Sequence, residues 1–226
     1  MTGRGRVAVL ATCAVVALIT AWYAGTRSTA PDPSPAAASV RLGPDPGEPV
    51  DGYLARQAAD LPPPGAAPTL ALVQFTTERT GPEAVAAAEG SSLVSVVFRV
   101  PLPRVQTALR FQALDPGVAP ETALDNARQR AQHAAAADAG RLTGRPGAVA
   151  AAEAAALTVP DGRDVLAVVV RADRAGLDAL QDRPGVRAVQ AAPEGATGRE
   201  LALSPLLPEQ TRNADPPPDD GPVPPT

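Results

Sequence analysis

Lysine is absent from this chain, and all 20 of its basic residues are arginine. The acidic residues number 24, so the formal net charge is −4 and no basic surface is expected. A nucleic-acid-binding protein needs a basic face to meet the phosphates, so the composition argues against that class of function. Since alanine, glycine and proline are abundant as well, the absence of lysine is typical of a GC-rich coding sequence.

Cysteine and aromatic residues are also scarce. The single cysteine is Cys13, so the rest of the chain has neither a disulfide framework nor a thiolate metal site. Trp22 and Tyr23 fall in an apolar N-terminal run and Tyr53 in a proline-rich stretch, which leaves three phenylalanines for a folded part. Its core is therefore expected to consist of valine, leucine and alanine, and to be small and modestly stable.

A run of eighteen residues without charge, residues 7–24, predicts a transmembrane helix. At about 1.5 Å per residue it covers roughly 27 Å, close to the thickness of the hydrocarbon core of a bilayer. Arg4 and Arg6 precede the run and only Arg27 follows it closely. The positive-inside rule then places residues 1–6 in the cytoplasm and the remainder of a single-pass membrane protein outside it.

Other interpretations of this run fit less well. A buried core helix is disfavoured by eighteen uncharged residues at the N-terminus. A signal peptide needs a small-x-small cleavage site, and in the nearest candidate Ala30 is followed by Pro31. The sequence from Leu10 to Cys13 loosely resembles a lipoprotein attachment box, but the apolar run continues beyond it. An uncleaved anchor is the preferred interpretation, and cleavage remains the alternative.

Proline-rich flanks surround the central part of the chain. Residues 25–68 are predicted to be a linker, because their many prolines break regular ladders and favour extended conformations. Within this linker, residues 50–61 carry apolar side chains at helical spacing and could form a helix that docks on the domain. Residues 194–226 repeat the composition and are predicted to be a disordered tail.

Between the flanks, residues 69–193 contain two similar halves. Each half reads as strand, short helix and strand, at 69–75, 82–89 and 93–100 and again at 165–171, 174–183 and 186–191. Two such βαβ units side by side, with right-handed crossovers, form a four-stranded antiparallel sheet with helices on one face. The predicted fold class is therefore α+β, a ferredoxin-like sandwich in an extracytoplasmic domain, preceded by one N-terminal transmembrane helix.

A long insertion separates the halves. Residues 105–111 alternate with the period of a strand, and residues 120–142 form the strongest helix pattern of the chain. Residues 148–159 suit either a helix or a strand. The turn Pro160-Asp161-Gly162 that follows them favours a hairpin, so a strand is predicted there.

The chemical groups of the chain indicate no catalytic site. His133 is the only histidine, and its helical neighbours Gln129 and Ala137 are neither bases nor ligands, so a metal site there is not expected. Glycine-rich nucleotide motifs are missing, and a P-loop is impossible without lysine.

The serine and acidic residues do not indicate a catalytic site either. The serines near the second strand lack a nucleophile-elbow motif, and the acids lie in turns and helix starts where solvation or capping explains them; these are Ser91, Ser92, Ser95, Glu78, Glu83, Asp161 and Asp164. We therefore predict no catalytic, cofactor-binding or metal-binding residue, no small-molecule ligand and no enzyme.

The second half carries a family resemblance. Leu177-Asp178-Ala179-Leu180, followed by Pro184-Gly185-Val186-Arg187-Ala188-Val189, looks like the last helix and strand of subtilisin-propeptide-type inhibitor domains. That resemblance implies a ferredoxin-like fold and inhibition of a protease, although the long insertion departs from this compact family. The chain as a whole resembles single-span membrane-anchored proteins of high-GC actinobacteria, a resemblance that implies no activity.

Three hypotheses for function follow. The leading one is a non-catalytic protein-interaction domain, held outside the membrane by its anchor and bound to an unidentified protein of the cell envelope. The alternative is a propeptide-like protease inhibitor. An envelope enzyme is the third.

Overall fold

The computed structural model describes residues 40–225, which form an α+β domain around one five-stranded antiparallel sheet. The predicted cytoplasmic residues 1–6, the transmembrane run 7–24 and the first part of the linker lie outside the described residues. None of the helices within 40–225 combines the length and the apolar character needed to cross a bilayer.

The described residues form five helices and seven strands. The helices are α1 Val50–Ala59, α2 Gly81–Ala87, α3 Pro120–Arg141, α4 Gly144–Ala156 and α5 Arg174–Gln181. The strands are β1 Val40–Leu42, β2 Thr69–Arg79, β3 Ser92–Phe98, β4 Arg110–Ala113, β5 Val165–Ala172, β6 Val186–Ala191 and β7 Leu201–Leu203.

The main sheet has the strand order β4-β3-β5-β2-β6, and every neighbouring pair in it is antiparallel. The helix α2 connects β2 to β3, and α5 connects β5 to β6. Both helices begin at side-chain caps: Thr80 and Glu83 form a capping box on α2, and the Asp173 carboxylate accepts from Gly176 N at 2.8 Å on α5. Both predicted strand–helix–strand halves are therefore present.

One face of the sheet packs against the helices. Val73 lies opposite Val168 on one side and Val189 on the other, and all three belong to the core beneath the helices. The helices contribute small and branched apolar side chains to this core, namely Ala84, Leu124, Ala127, Ala131, Ala135, Leu157, Leu177 and Leu180. The buried alanines of α3 have small side chains, so the helix backbone can lie close to the sheet. The space between helix and sheet is then filled without large aromatic side chains.

The opposite face of the sheet is covered by both flanks. Leu70, Leu72 and Val169 are fully buried on this face. Their cover comes from β1 and β7, which pair in parallel, and from the segment around Leu206, which is 0% exposed. The helix α1 packs on the same layer through Val50 and Tyr53.

A buried polar network joins these flanks to the sheet. Gln74, on β2, donates from Nε2 to the Tyr53 hydroxyl at 2.6 Å and accepts from Leu206 N at 2.7 Å. The Tyr53 hydroxyl donates to Gln190 Oε1 at 2.9 Å, and that oxygen also accepts from Gly43 N at 2.6 Å. Burial raises the pKa of Tyr53 to about 12, so its hydroxyl stays protonated and remains a donor.

Three predictions are corrected by this structure. The prediction of a disordered tail over residues 194–226 is wrong for residues 194–225, because they supply β7 and Leu206, and Asp220 forms an ion pair with Arg104. From residue 40 on, the predicted linker is part of the domain, whose compact unit begins at Val40 rather than at residue 69. The proline-rich flanks have no hydrophobic core of their own, but their apolar side chains are buried against the sheet face that the helices do not cover.

The predicted strand over residues 148–159 is the third correction. These residues belong to the helix α4 and the turn after it. Seven of the thirteen residues in α4 are alanine, the residue with the highest helix propensity, and this outweighs the hairpin signal of the following turn. The strand predicted at 105–111 is also displaced, since β4 begins only at Arg110.

Leu206→Ala tests the role of the C-terminal segment. Because Leu206 is fully buried against α1 and the sheet, we expect this substitution to lower the free energy of unfolding by about 2–5 kcal/mol. Val159→Ala, at a side chain that is 54% exposed, is the matched control and should change little. Urea unfolding measures both values, and equal small effects would mean that the segment does not pack as described.

Candidate functional site

The polar residues considered for chemistry are dispersed in the structure. His133 is exposed on α3, and the Ser91 hydroxyl donates to the carbonyl of Ala88 at 2.6 Å. Within residues 40–225 there is no group of three or more His, Cys, Asp or Glu side chains placed to hold a metal ion.

Buried ion pairs account for several of the remaining charges. The Arg110 guanidinium, 8% exposed, donates from Nε to Glu153 Oε2 at 3.1 Å and from Nη1 to Asp138 at 3.1 Å. The second oxygen of Glu153 accepts from Ala108 N at 2.7 Å. This cluster attaches the start of β4 to α3 and α4, and it neutralises the one charge of that strand.

Arg99 forms a second cluster, which holds the C-terminal segment. Its guanidinium lies 3.0 Å from Glu78 and also donates to both oxygens of Glu209. Because Arg99 is engaged by two carboxylates, it offers no free cation to a ligand, and it links the end of β3 to the segment that follows β7.

Asp164 differs from the solvated acid that the sequence suggests, because it is only 4% exposed. Arg128 Nη2 lies 3.1 Å from its Oδ1, but the guanidinium donates instead to the carbonyls of Val159 and Gly162. Neither carboxylate oxygen accepts a hydrogen bond from the described residues. Burial raises the pKa of Asp164 to about 6, although the charge of Arg128 opposes this shift.

The grooves on the described surface are shallow. The largest, about 610 Å³, lies between β1, the end of β6 and residues 62–67. Prolines and alanines make up half of its lining, and the polar residues on it are Arg41, Asp60, Thr69, Gln190 and Glu194. A groove of about 260 Å³ beside Arg99 is lined by five prolines, two leucines and two arginines, of which Arg99 is paired with Glu78 and Glu209.

The outer edge of β4 is the most distinctive exposed feature of the domain. Phe111 in its centre is 47% exposed and lies opposite the buried Val97, on the face away from the helices. Leu114 N donates to Val94 O at 2.9 Å, so these two residues form a hydrogen-bonded pair of the antiparallel ladder. Because such pairs alternate with pairs that are not hydrogen-bonded, the backbone groups of Phe111 and Ala113 point away from β3. Of these groups, the Ala113 carbonyl accepts from Arg130, and the Phe111 backbone has no partner within residues 40–225.

The other edge of the sheet is better covered. There β6 contacts α1, and its Arg187 donates to the carbonyls of Leu207 and Gln210. Val189 is 1% exposed. Only β4 therefore offers a strand edge with an exposed aromatic side chain in the part of the chain that the structure describes. The sequence missed Phe111 because a strand pattern does not say which strand becomes the edge.

The buried carboxylate of Asp164 generates a pH prediction. Its pKa is about 6 in the folded protein and about 3.9 in an unfolded chain, so its contribution to stability is present below pH 4 and lost as the pH rises through 6. Between pH 4 and pH 7, we expect the free energy of unfolding of Asp164→Asn, measured with urea, to rise by about 3 kcal/mol relative to that of the wild type. Glu83→Gln should change in the opposite sense, because the Thr80 backbone N–H lowers the pKa of Glu83. Parallel pH profiles for wild type and Asp164→Asn would contradict this.

A strand edge, rather than a reaction centre, is thus the candidate functional site of the described residues. Function has to be inferred from the chain's own geometry, because comparison with known protein families, curated proteins and solved structures found no match for this chain.

Proposed function

We propose that this chain is a non-catalytic interaction protein of the cell envelope, anchored by residues 7–24, that binds its partner along the outer edge of β4. The observation that carries the proposal is the exposed Phe111 with its unpartnered backbone. Such an edge can accept a further strand, whose main-chain hydrogen bonds give affinity and whose side chains give specificity.

The absence of the usual protections of an edge strand supports this proposal. Natural proteins blunt exposed edges with prolines, charges that point outward, or bulges. Leu109, Phe111 and Ala113 are not themselves prolines or charged residues, and the pairing of β3 with β4 runs without a register shift. One cation does reach this edge, since Arg130 donates to the Ala113 carbonyl, but it leaves the backbone of Phe111 uncovered. Arg110, the one charge of the strand, is held on its own chain by Glu153.

The fold that presents this edge is best described as a ferredoxin-like sandwich with additions. Without β4, the strand order is β3-β5-β2-β6, in which strands of the two βαβ halves alternate within one antiparallel sheet, as in the ferredoxin-like sandwich. In this description β4 extends the sheet, α3 and α4 form the insertion, and the flanks form a second layer.

The anchor and its orientation remain part of the proposal. Support comes from the uncharged run 7–24 and from Arg4 and Arg6 before it. We expect a phosphatase reporter that is active only outside the cytoplasm to be active when fused after Ser39 and inactive when fused at the N-terminus. Activity of the N-terminal fusion would reverse the proposed orientation.

Photo-crosslinking tests the proposed surface. A photoreactive phenylalanine at position 111 of the full-length chain, irradiated in intact membranes, should give a discrete adduct because a partner lies against this side chain. The same residue at position 159, equally exposed but far from β4 in sequence, is the matched control and should give none. Mass spectrometry identifies the adduct.

Each result has a defined meaning. An adduct at position 111 alone supports the proposal, and an adduct that contains a protease favours the inhibitor alternative suggested by the resemblance of residues 177–189. Equal labelling at both positions, or none, would refute an interaction through the β4 edge.

A further inference from the structure

We propose that the partner at the β4 edge is a second copy of this chain, paired through antiparallel β4 strands about a two-fold axis at Phe111. This inference rests on the proposed function and narrows it to one occupant. The two main sheets would then join into a single sheet of ten strands.

The backbone of β4 suits this symmetric pairing. With the axis at Phe111, the two copies of this residue exchange both of their free backbone hydrogen bonds, the pattern of a hydrogen-bonded antiparallel pair. Leu109, which directly precedes β4, then lies opposite Ala113 of the second copy. The Ala113 carbonyl already accepts from Arg130, and its second lone pair would accept from the Leu109 N–H of the second copy. An axis at Arg110 would instead place two guanidinium groups opposite each other.

The side chains along the edge are self-complementary in the same register. Phe111 meets Phe111, an aromatic pair of the kind that stabilises adjacent strands. The larger Leu109 meets the small Ala113, so neither pair is overcrowded. All three side chains are apolar, and Leu109 already packs against the apolar cluster on this face.

Charge does not oppose the approach of two copies at this edge. Arg110 is buried and neutralised by Glu153 and Asp138 of its own chain. Arg130, on the helix side of the edge, is occupied by Asp115 and by the carbonyl of Ala113. A second copy therefore meets an apolar edge whose nearby cations are already paired.

A short strand needs help to associate, and the proposed anchor supplies it. The strand β4 has only four residues, so few contacts form in each pair. Two chains anchored in the same bilayer have a high effective concentration, which turns a weak contact into a populated dimer. We therefore expect the dimer in membranes.

Paired cysteines test the register directly. In a Cys13→Ser background, full-length chains with Leu109→Cys and Ala113→Cys are tagged differently and coexpressed. These positions lie opposite each other at a Cα separation of about 5.5 Å, within the range of a disulfide. We expect at least ten-fold more oxidised dimer from this combination than from either variant alone, where like positions lie roughly 13 Å apart along the strands.

Charged residues introduced at position 111 test whether this position contacts position 111 of the second copy. Phe111→Glu and Phe111→Arg, each introduced into the cysteine pair, should lower the oxidised dimer at least ten-fold. Chains with Phe111→Glu and chains with Phe111→Arg should associate when mixed, because only a two-fold contact sets position 111 against itself. Val159→Glu is the matched control and should leave the dimer unchanged; thermal melts establish that every variant is folded.

The outcomes separate this inference from the function on which it rests. Register-specific disulfides with rescue by opposite charges support the dimer. If no such disulfide forms while the photoprobe at position 111 captures a different protein, the second copy is refuted and the proposed function stands. If neither forms, both fall.

Discussion

The buried side-chain amide of Gln74, on β2, joins both flanks of the chain to the main sheet. Its hydrogen bonds go to Tyr53 and to the backbone of Leu206, which belong to opposite flanks of the chain. A buried amide deprived of its partners costs about 1–3 kcal/mol, so this sheet face tolerates Gln74 only when both flanks are in place. The polar network thus specifies how the flanks dock, while the leucines around it supply the apolar area that holds them.

Covering both faces of the sheet leaves its edges as the remaining places where strands can add. At one edge, β6 is in contact with α1 and carries the arginine that holds the C-terminal segment. At the other edge, β4 is fixed at its start by the buried pair between Arg110 and Glu153, and Phe111 follows directly beside it. The same ion pair that anchors the strand removes the charge that would otherwise keep a partner away.

Sequence patterns predicted both strand–helix–strand halves, but not the elements that cover and extend the sheet. The valine-rich strand at 165–172 and the capped helix after it follow from local signals, which act over a few residues. The C-terminal segment was misjudged because its prolines and lack of aromatic residues describe the segment alone, whereas Leu206 is buried by a sheet face more than a hundred residues away. The exposure of Phe111 could not be predicted either, since it depends on which strand ends the sheet. In α4, the alanine content should have outweighed the turn signal.

The pairing of β1 with β7 has a consequence for how this domain folds. Val40 lies opposite Leu201, and Gly43, with φ of +125°, leaves no space for a side chain beside the Ser204 carbonyl. The strand β1 can therefore pair only when β7 is in place, and almost the whole sequence of the domain lies between these two strands. Closing a loop of that size is entropically costly and places this step late, after the helical layer has formed. Until then the leucines on one face of the sheet are exposed to solvent, so a nascent or truncated chain that lacks its final thirty residues resembles an aggregation-prone intermediate rather than a smaller version of the native protein.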